Sequence, residues 1–296
     1  MDDRAVAVVT GANSGIGRAI ALHLASKGYR VFGTVRRIAS AEKLQAMAAG
    51  AGVEVDLVEL DIADDASVRT GIADVLDQAG RIDVLVNNAG VGSNGVVEEA
   101  SPAAHLETMN VNLCGAVRCI QAVLPGMRER RSGAIVNITS IVGRFGAIAQ
   151  APYVASKWAL EGLSEELALE VAPFGVRVAV VEPGITKSAI FAKNQDVPHA
   201  TGAYDAHIRR MLQMYSTGIP LATDPMEVGE VVYEAVTSDA PRFRYTVSWG
   251  GDEIVSGRAR MTDEAWVAMG DTTDDDEYYR RFEAAFGLSI APAAGS

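Results

Sequence analysis

Ala5-Val6-Ala7-Val8-Val9-Thr10-Gly11-Ala12-Asn13-Ser14-Gly15-Ile16-Gly17 is the stretch on which the reading of this chain turns. Ala5–Val9 reads as a strand and Gly15–Lys27 as a helix, with Ile16, Ile20 and Leu24 on one face and Gly28 as its stop. Three glycines lie between them. Gly11 permits a tight turn, Gly15 lets a pyrophosphate approach the backbone, and Gly17 lets helix and strand pack closely. Asn13, Ser14 and Ile16 share that loop and first turn. The free N–H groups and positive end of the helix suit a phosphate. A purely structural tight turn is the competing reading.

Outward from this stretch, apolar strands alternate with helical patterns. Tyr29–Val35, Val53–Leu60, Ile82–Val86, Ala134–Ile138 and Val176–Val181 read as strands. Ser40–Ala49, Asp65–Ala79, Ala103–Arg130 and Tyr153–Ala172 read as helices. The alternation predicts an α/β fold, a doubly wound parallel sheet of the Rossmann kind joined by right-handed crossovers. Most of the strands are continuously apolar, as expected when both faces are covered. One dinucleotide-binding domain over residues 1–250 is expected, with residues 251–296 an acidic C-terminal extension and not a separate domain. Within the last third, Gly202–Ser216 and Met226–Ser238 read as helices and Phe243–Trp249 as a final strand. Thr262–Gly287 reads as partly helical and Ser289–Ser296 as frayed.

Composition narrows the classes. The chain has 296 residues, 49% hydrophobic and 22% charged, which is ordinary for a globular protein. Its 26 basic and 38 acidic residues give a net charge of −12. That acidity argues against a nucleic-acid backbone or an anionic membrane surface as main partner. No apolar run spans a bilayer, and the N-terminal stretch lacks a signal-peptide layout. Cys114 and Cys119 point in different directions on a helix, so no local disulfide is expected and a reduced cytoplasm is the natural setting. His23, His105, His199 and His207 show no metal-ligand spacing, so no metal is expected.

Two further motifs carry chemistry. Tyr153 and Lys157 lie four apart, on one face of a helix. A tyrosine has an ordinary pKa near 10, and a neighbouring ammonium favours its phenolate, so one turn holds a proton donor and its tuner. Ser140 follows the strand Ala134–Ile138, where a doubly wound sheet binds ligands, and can donate to a carbonyl oxygen; a turn or cap serine is the alternative. At the end of the second strand, Val35 stands where NAD-selective enzymes place an acid, and Arg36 and Arg37 follow. Two guanidinium groups suit a 2′-phosphate, so NADP(H) is expected in preference to NAD(H). A solvated arginine pair is the alternative.

The Thr-Gly-x-x-x-Gly-x-Gly loop, with Asn87-Asn88-Ala89-Gly90, Ser140, Tyr-x-x-x-Lys and Pro183-Gly184-Ile185-Thr186 in order, resembles the short-chain dehydrogenase/reductase family, single-domain type. The resemblance covers about residues 5–188. It implies a catalytic set of Asn112, Ser140, Tyr153 and Lys157, with Asn112, rather than its neighbour Asn110, linking a water to the lysine. It also implies that Asp61, beside Ile62, faces the adenine, with a turn or cap residue as the alternative reading, and that Asn88, Ala89 and Gly90 border the adenosine. Pro183, Gly184, Ile185, Thr186 and Ser188 would back the nicotinamide. A small-molecule carbonyl or alcohol substrate and a homodimer or homotetramer follow from the same resemblance. The order Thr-Val-Arg-Arg and the C-terminal extension look like steroid- and retinol-active relatives. Phe145, Ile148, Ile190, Phe191, Tyr204, Met211, Met214 and Tyr215 read either as the lining of an apolar substrate site or as packing. A non-catalytic NADPH-binding sensor or scaffold is the alternative function, and a sugar epimerase of the longer family branch a further one.

Overall fold

The computed structural model describes residues 3–188, 197–198 and 200–292. Seven strands form one parallel sheet in the order β3-β2-β1-β4-β5-β6-β7. They are β1 Val6–Val9, β2 Arg30–Val35, β3 Val55–Glu59, β4 Val84–Asn87, β5 Gly133–Ile138, β6 Val176–Pro183 and β7 Arg244–Val247. The doubly wound parallel sheet expected from the alternation is the observed fold, in a single domain.

The continuous apolar strands have a direct structural cause. In β1, Ala7 and Val9 join one core layer while Val6 and Val8 join the other. The first layer is closed by α1 Gly15–Ser26, α2 Glu42–Gly50 and Pro225–Thr237, here α8. The second is closed by α3 Asp65–Ala79, α5 Gly115–Arg130 and α6 Ala151–Val171. With helices on both faces, no strand has a solvent side to give to polar residues.

The remaining helices among the described residues are α4 Pro102–Met109, α7 Asp205–Gly218, α9 Gly251–Arg260, α10 Asp263–Ala268 and α11 Asp275–Phe286. Three sequence expectations change. The single helix expected over Ala103–Arg130 is α4 and α5 joined by a π-helical turn at Asn110–Cys114. Its backbone winds wider to present Asn112 inward, as such turns do at functional sites. Helix α9 has no counterpart among the expected elements. The expected fraying from Ser289 also fails at Ile290, which is 1% exposed and accepts a bond from Gln213 Nε2 at 3.0 Å. Residues 293–296 lie outside the described residues.

Helices α9 and α11 do not stand apart. Ile254, Tyr278, Phe282 and Phe286 form a third core cluster with Ile141, Val142 and Phe145, the segment just after β5. Cys114 and Cys119 are free thiols, and burial pushes Cys119 up to about 12. Among the described residues, no helix is long and apolar enough to cross a membrane.

Candidate active site

The strand order reverses between β1 and β4, which is where a doubly wound sheet opens a crevice at its carboxyl edge. The loops after these two strands are sewn together by Thr10. Its hydroxyl accepts from the backbone N–H groups of Asn88 at 2.9 Å and Ala89 at 3.0 Å. In return, Asn88 Nδ2 donates to the Thr10 carbonyl at 2.8 Å. Gly11 has φ +68°, and a Cβ there would lie 2.9 Å from Ala89 Cα. A Cβ on Gly17 would lie 2.4 Å from the Gly11 carbonyl. The helix start therefore nests into the loop it follows. Asn13 Nδ2 donates to Ser40 Oγ at 3.2 Å, and Gly15 faces Ser188, whose Cβ would be 3.1 Å from an added Cβ. Ser14 precedes α1, and Ile16 is partly buried against the first core layer.

At the far end of this edge, Arg36 and Arg37 are exposed just past β2. Neither has an ion-pair partner among the described residues. Asp61 Oδ1 accepts from the Ala63 N–H at 2.9 Å, so it closes a local turn, and Ile62 beside it is buried against the second core layer. Gly90 approaches the Asn112 side chain, with 3.0 Å from an added Cβ to Oδ1.

Asn112, Ser140, Tyr153 and Lys157 come from the π-helical turn, the end of β5 and the first turns of α6. Asn112 Oδ1 accepts from the Val91 N–H at 2.8 Å. Its amide donates to the Val91 carbonyl at 2.8 Å and to Ser156 Oγ at 2.9 Å. A buried mid-helix amide thus has its partners. The Ser140 hydroxyl donates to the Pro183 carbonyl at 3.4 Å and accepts from the Val142 N–H at 3.3 Å. The cap role and the cleft position coexist in that residue. It also faces the Tyr153 phenol and favours its ionised form.

Lys157 is 6% exposed. Its Nζ donates to the Ile138 carbonyl at 3.0 Å and lies 5.6 Å from the centre of the Tyr153 ring. Desolvation lowers Lys157 to about 8, against a pull upward from Glu161. Desolvation raises Tyr153 to about 12, against the bond from Ser140. Pro183, Gly184, Ile185 and Thr186 follow β6. Ile185 is buried and pairs with Trp249, and Thr186 Oγ1 meets Ser248 Oγ at 2.7 Å.

The apolar residues divide. Phe145 and Met214 join the third core cluster, as Tyr153 does, with Phe145 edge-on to Trp266 at 5.8 Å. Ile148 and Tyr204 line a groove of about 560 Å³ with Val96, Val97, Val154 and Trp158, beside the first turns of α6. Met211 and Tyr215 pack with Val96 and Ala149. Ile190 and Phe191 lie outside the described residues. Burial and the nearby Tyr153 push the Tyr215 phenol up, and its hydroxyl reaches Asn94 Oδ1 at 3.5 Å.

Four charged residues behind the site were missed by the sequence reading. Glu161, Glu182, Arg144 and Arg244 form an ion network, with Arg144 2.9 Å from Glu182 and Arg244 3.0 Å from Glu161. Glu161 alone had a sequence signal, because it continues the Tyr153, Lys157 spacing by one more turn.

Residues 5–198 match the family described as short chain dehydrogenase. The 3-ketodihydrosphingosine reductase of Bacteroides thetaiotaomicron is 36% identical, over 82% of this chain and 87% of the relative. Estradiol 17-beta-dehydrogenase 1 of Rattus norvegicus is 36% identical, over 82% of this chain and 73% of the relative. The crystal structure of a short-chain dehydrogenase from Streptomyces avermitilis superposes with a TM-score of 0.78 at 33% identity, covering 92% of this chain and 100% of the other. A metagenomic short-chain oxidoreductase in complex with NADP gives 0.66 at 30% identity, covering 82% and 96%. With the crevice, its glycine loop and the Tyr153–Lys157 turn in place, the chain belongs to the short-chain dehydrogenase/reductase family.

Proposed function

We propose that the protein is an NADP(H)-dependent oxidoreductase that interconverts a carbonyl and an alcohol. The observation that carries this reading is the convergence of Ser140, Tyr153 and Lys157 at the carboxyl edge of the sheet, beside the glycine loop.

The cradle fits a dinucleotide. Gly11 and Gly15 leave room where a Cβ would collide, and α1 begins there with its N–H groups free for phosphate. Arg36 and Arg37, exposed and without ion-pair partners among the described residues, are placed for a 2′-phosphate. Gly11, Asn13, Ser14, Gly15, Ile16 and Gly17 would hold the pyrophosphate. Asp61, Ile62, Asn88, Ala89 and Gly90 would border the adenosine, and Pro183, Gly184, Ile185, Thr186 and Ser188 the nicotinamide. A bound dinucleotide supplies the hydride.

The protein's own residues handle the oxygen and the proton. Ser140 orients the carbonyl oxygen by hydrogen bonding. Tyr153 gives that oxygen its proton in reduction and takes it back in oxidation. The Lys157 ammonium stabilises the phenolate left behind, which matters because burial, even against Ser140, holds the phenol near 12. Asn112, bonded to Val91 and to Ser156 next to Lys157, would keep the proton path open.

An apolar substrate is supported by Tyr215, on which the Tyr153 phenol acts and which packs with Val96, Ala149 and Met211. Relatives whose names specify 3-ketodihydrosphingosine and estradiol point the same way. Helices α4 and α6 leave Leu106, Trp158 and Leu169 exposed, which supports a homo-oligomer.

The test is a panel of apolar ketones followed by NADPH absorbance, with NADH in parallel. Tyr153→Phe should still quench its own fluorescence with NADPH and lose turnover by about 10²-fold or more. Retained turnover would refute Tyr153 as the acid. Equal efficiency with NADH would refute the assignment of Arg36 and Arg37.

A further inference from the structure

The residues behind the candidate site form a charge network that nothing in the hydride reaction itself requires. Glu161 lies one turn beyond Lys157 on α6 and is buried. Its Oε1 accepts from the Thr139 hydroxyl at 2.6 Å, and Thr139 lies between Ile138, whose carbonyl holds Lys157, and Ser140. Its Oε2 accepts from Arg244 Nε on β7 at 3.0 Å. Its stem fills the space above Gly143, where an added Cβ would lie 2.8 Å from Glu161 Cγ. The carboxylate is therefore fixed from three sides, and the chain on both sides of Ser140 rests on it.

Glu182 extends the network. It is fully buried, just before Pro183, and pairs with Arg144 at 2.9 Å and Arg244 at 3.5 Å. Arg244 also reaches Glu165 at 2.9 Å. The charged and titratable groups of the site and of the network behind it are then Tyr153, Lys157, Glu161 and Glu165 on α6, Arg144 after β5, Glu182 on β6, Arg244 on β7 and, acted on by Tyr153, Tyr215 on α7. A buried ammonium that lacks a compensating anion discharges. Of the carboxylates, Glu161 is the one that shares Lys157's face of α6, one turn on, and bonds the residue next to the carbonyl that holds Nζ, and it pulls Lys157 upward.

We propose that Glu161 is a positioning residue for the reaction: its carboxylate, pinned by Thr139 and Arg244, keeps the buried Lys157 ammonium charged beside Tyr153. This rests on the reading of Tyr153 and Lys157 as the acid/base pair.

The chain has five lysines, so lysine-specific 13C labelling yields few signals, and Lys157→Arg identifies the one to follow. The experiment titrates the Lys157 Cε resonance in the wild type, Glu161→Gln, Glu161→Asp and Arg244→Gln. Glu161→Gln keeps the shape and loses the charge, and the Lys157 pKa should fall by about one unit. Glu161→Asp should keep it near the wild-type value. Arg244→Gln removes a cation and should raise it. A structural role alone predicts something else, because a loosened site admits water and moves Lys157 upward toward its ordinary value. An unchanged or raised value in Glu161→Gln overturns the proposal. If that variant does not fold, an unchanged value in Arg244→Gln overturns it instead. The titration reads the lysine without turnover, so its outcome is separable from whether a carbonyl substrate is found. In steady-state reduction, the alkaline limb of Glu161→Gln should move to lower pH.

Discussion

Gly17 shows how much of the site depends on single atoms. A methyl group there would lie 2.3 Å from Asn88 Nδ2 and 2.4 Å from the Gly11 carbonyl. The first is the amide that ties the β4 loop to Thr10. Overpacking of this kind costs about 1–3 kcal/mol. Gly17→Ala should lower the melting temperature and weaken NADPH binding by about tenfold, where tenfold is about 1.4 kcal/mol. Fluorescence titration checks it; unchanged affinity would mean that the loop reshapes freely. Gly17, Tyr153 and Lys157 were legible in the sequence because local spacing defines them. Thr10 was legible only as part of a motif. Its work of holding Asn88 and Ala89 depends on β1 and β4 being neighbours, although they are far apart in sequence. Glu182 and Arg244 were illegible for the same reason in stronger form: a lone glutamate on an apolar strand gives no hint of the arginine that meets it.

At the scale of elements, periodicity located strands and helices but not their interruptions. The π-helical turn at Asn110–Cys114 leaves no mark in an apolar pattern that continues through it. The wider winding follows from tertiary partners, Val91 and Ser156, which hold Asn112 inward. Helix α7 illustrates the other limit. Its apolar stripe was legible, yet its opposite face is where the extension binds. Arg210 is 1% exposed, with Nε on Asp275 at 2.8 Å and its guanidinium 4.6 Å above the Tyr278 ring. Gln213 and Thr217 both reach the Ile290 carbonyl. The side of α7 that carries Met211 and Tyr215 is thereby pressed toward the cleft. Burial alone would raise Asp275, but bonds from Arg210 and Arg209 overcome it and hold Asp275 below the ordinary carboxylate value. Such a group stabilises the fold above its unfolded pKa and loses that contribution as pH falls through the folded one. Arg210→Met should therefore cost about 1–3 kcal/mol at pH 7. Its gap from the wild type in urea unfolding should shrink below about pH 4. A gap independent of pH would assign the loss to packing over Tyr278.

For the whole molecule, the net charge of −12 at first excluded only a general polyanion surface. The structure shows where much of that acidity goes. Asp263 pairs with Arg258, Asp271 with Arg281, Asp275 with Arg209 and Arg210, and Glu277 with Arg280 and Arg281, so four of the ten acids of the extension meet arginines of the extension itself or of α7. Its apolar side chains close the third core cluster around the segment after Ser140. What the fold leaves uncovered lies elsewhere. Leu106 on α4 is 71% exposed, and Leu169 on α6 is 72% exposed, with Trp158 on the same helix half exposed. These two helices pack on each other. Scattered exposed leucines need no explanation, but apolar residues gathered on adjoining helices suit a partner surface. If a second copy covers them, Leu169→Glu places a charge in the contact, and burying it unpaired costs several kcal/mol. Sedimentation velocity at micromolar concentration should then show the wild type as a dimer or tetramer and the variant shifted to smaller species. Because Leu169 touches neither Tyr153 nor the glycine loop, the variant should keep its fold and its NADPH affinity. An assembly unchanged by Leu169→Glu would move the interface to another face of the molecule.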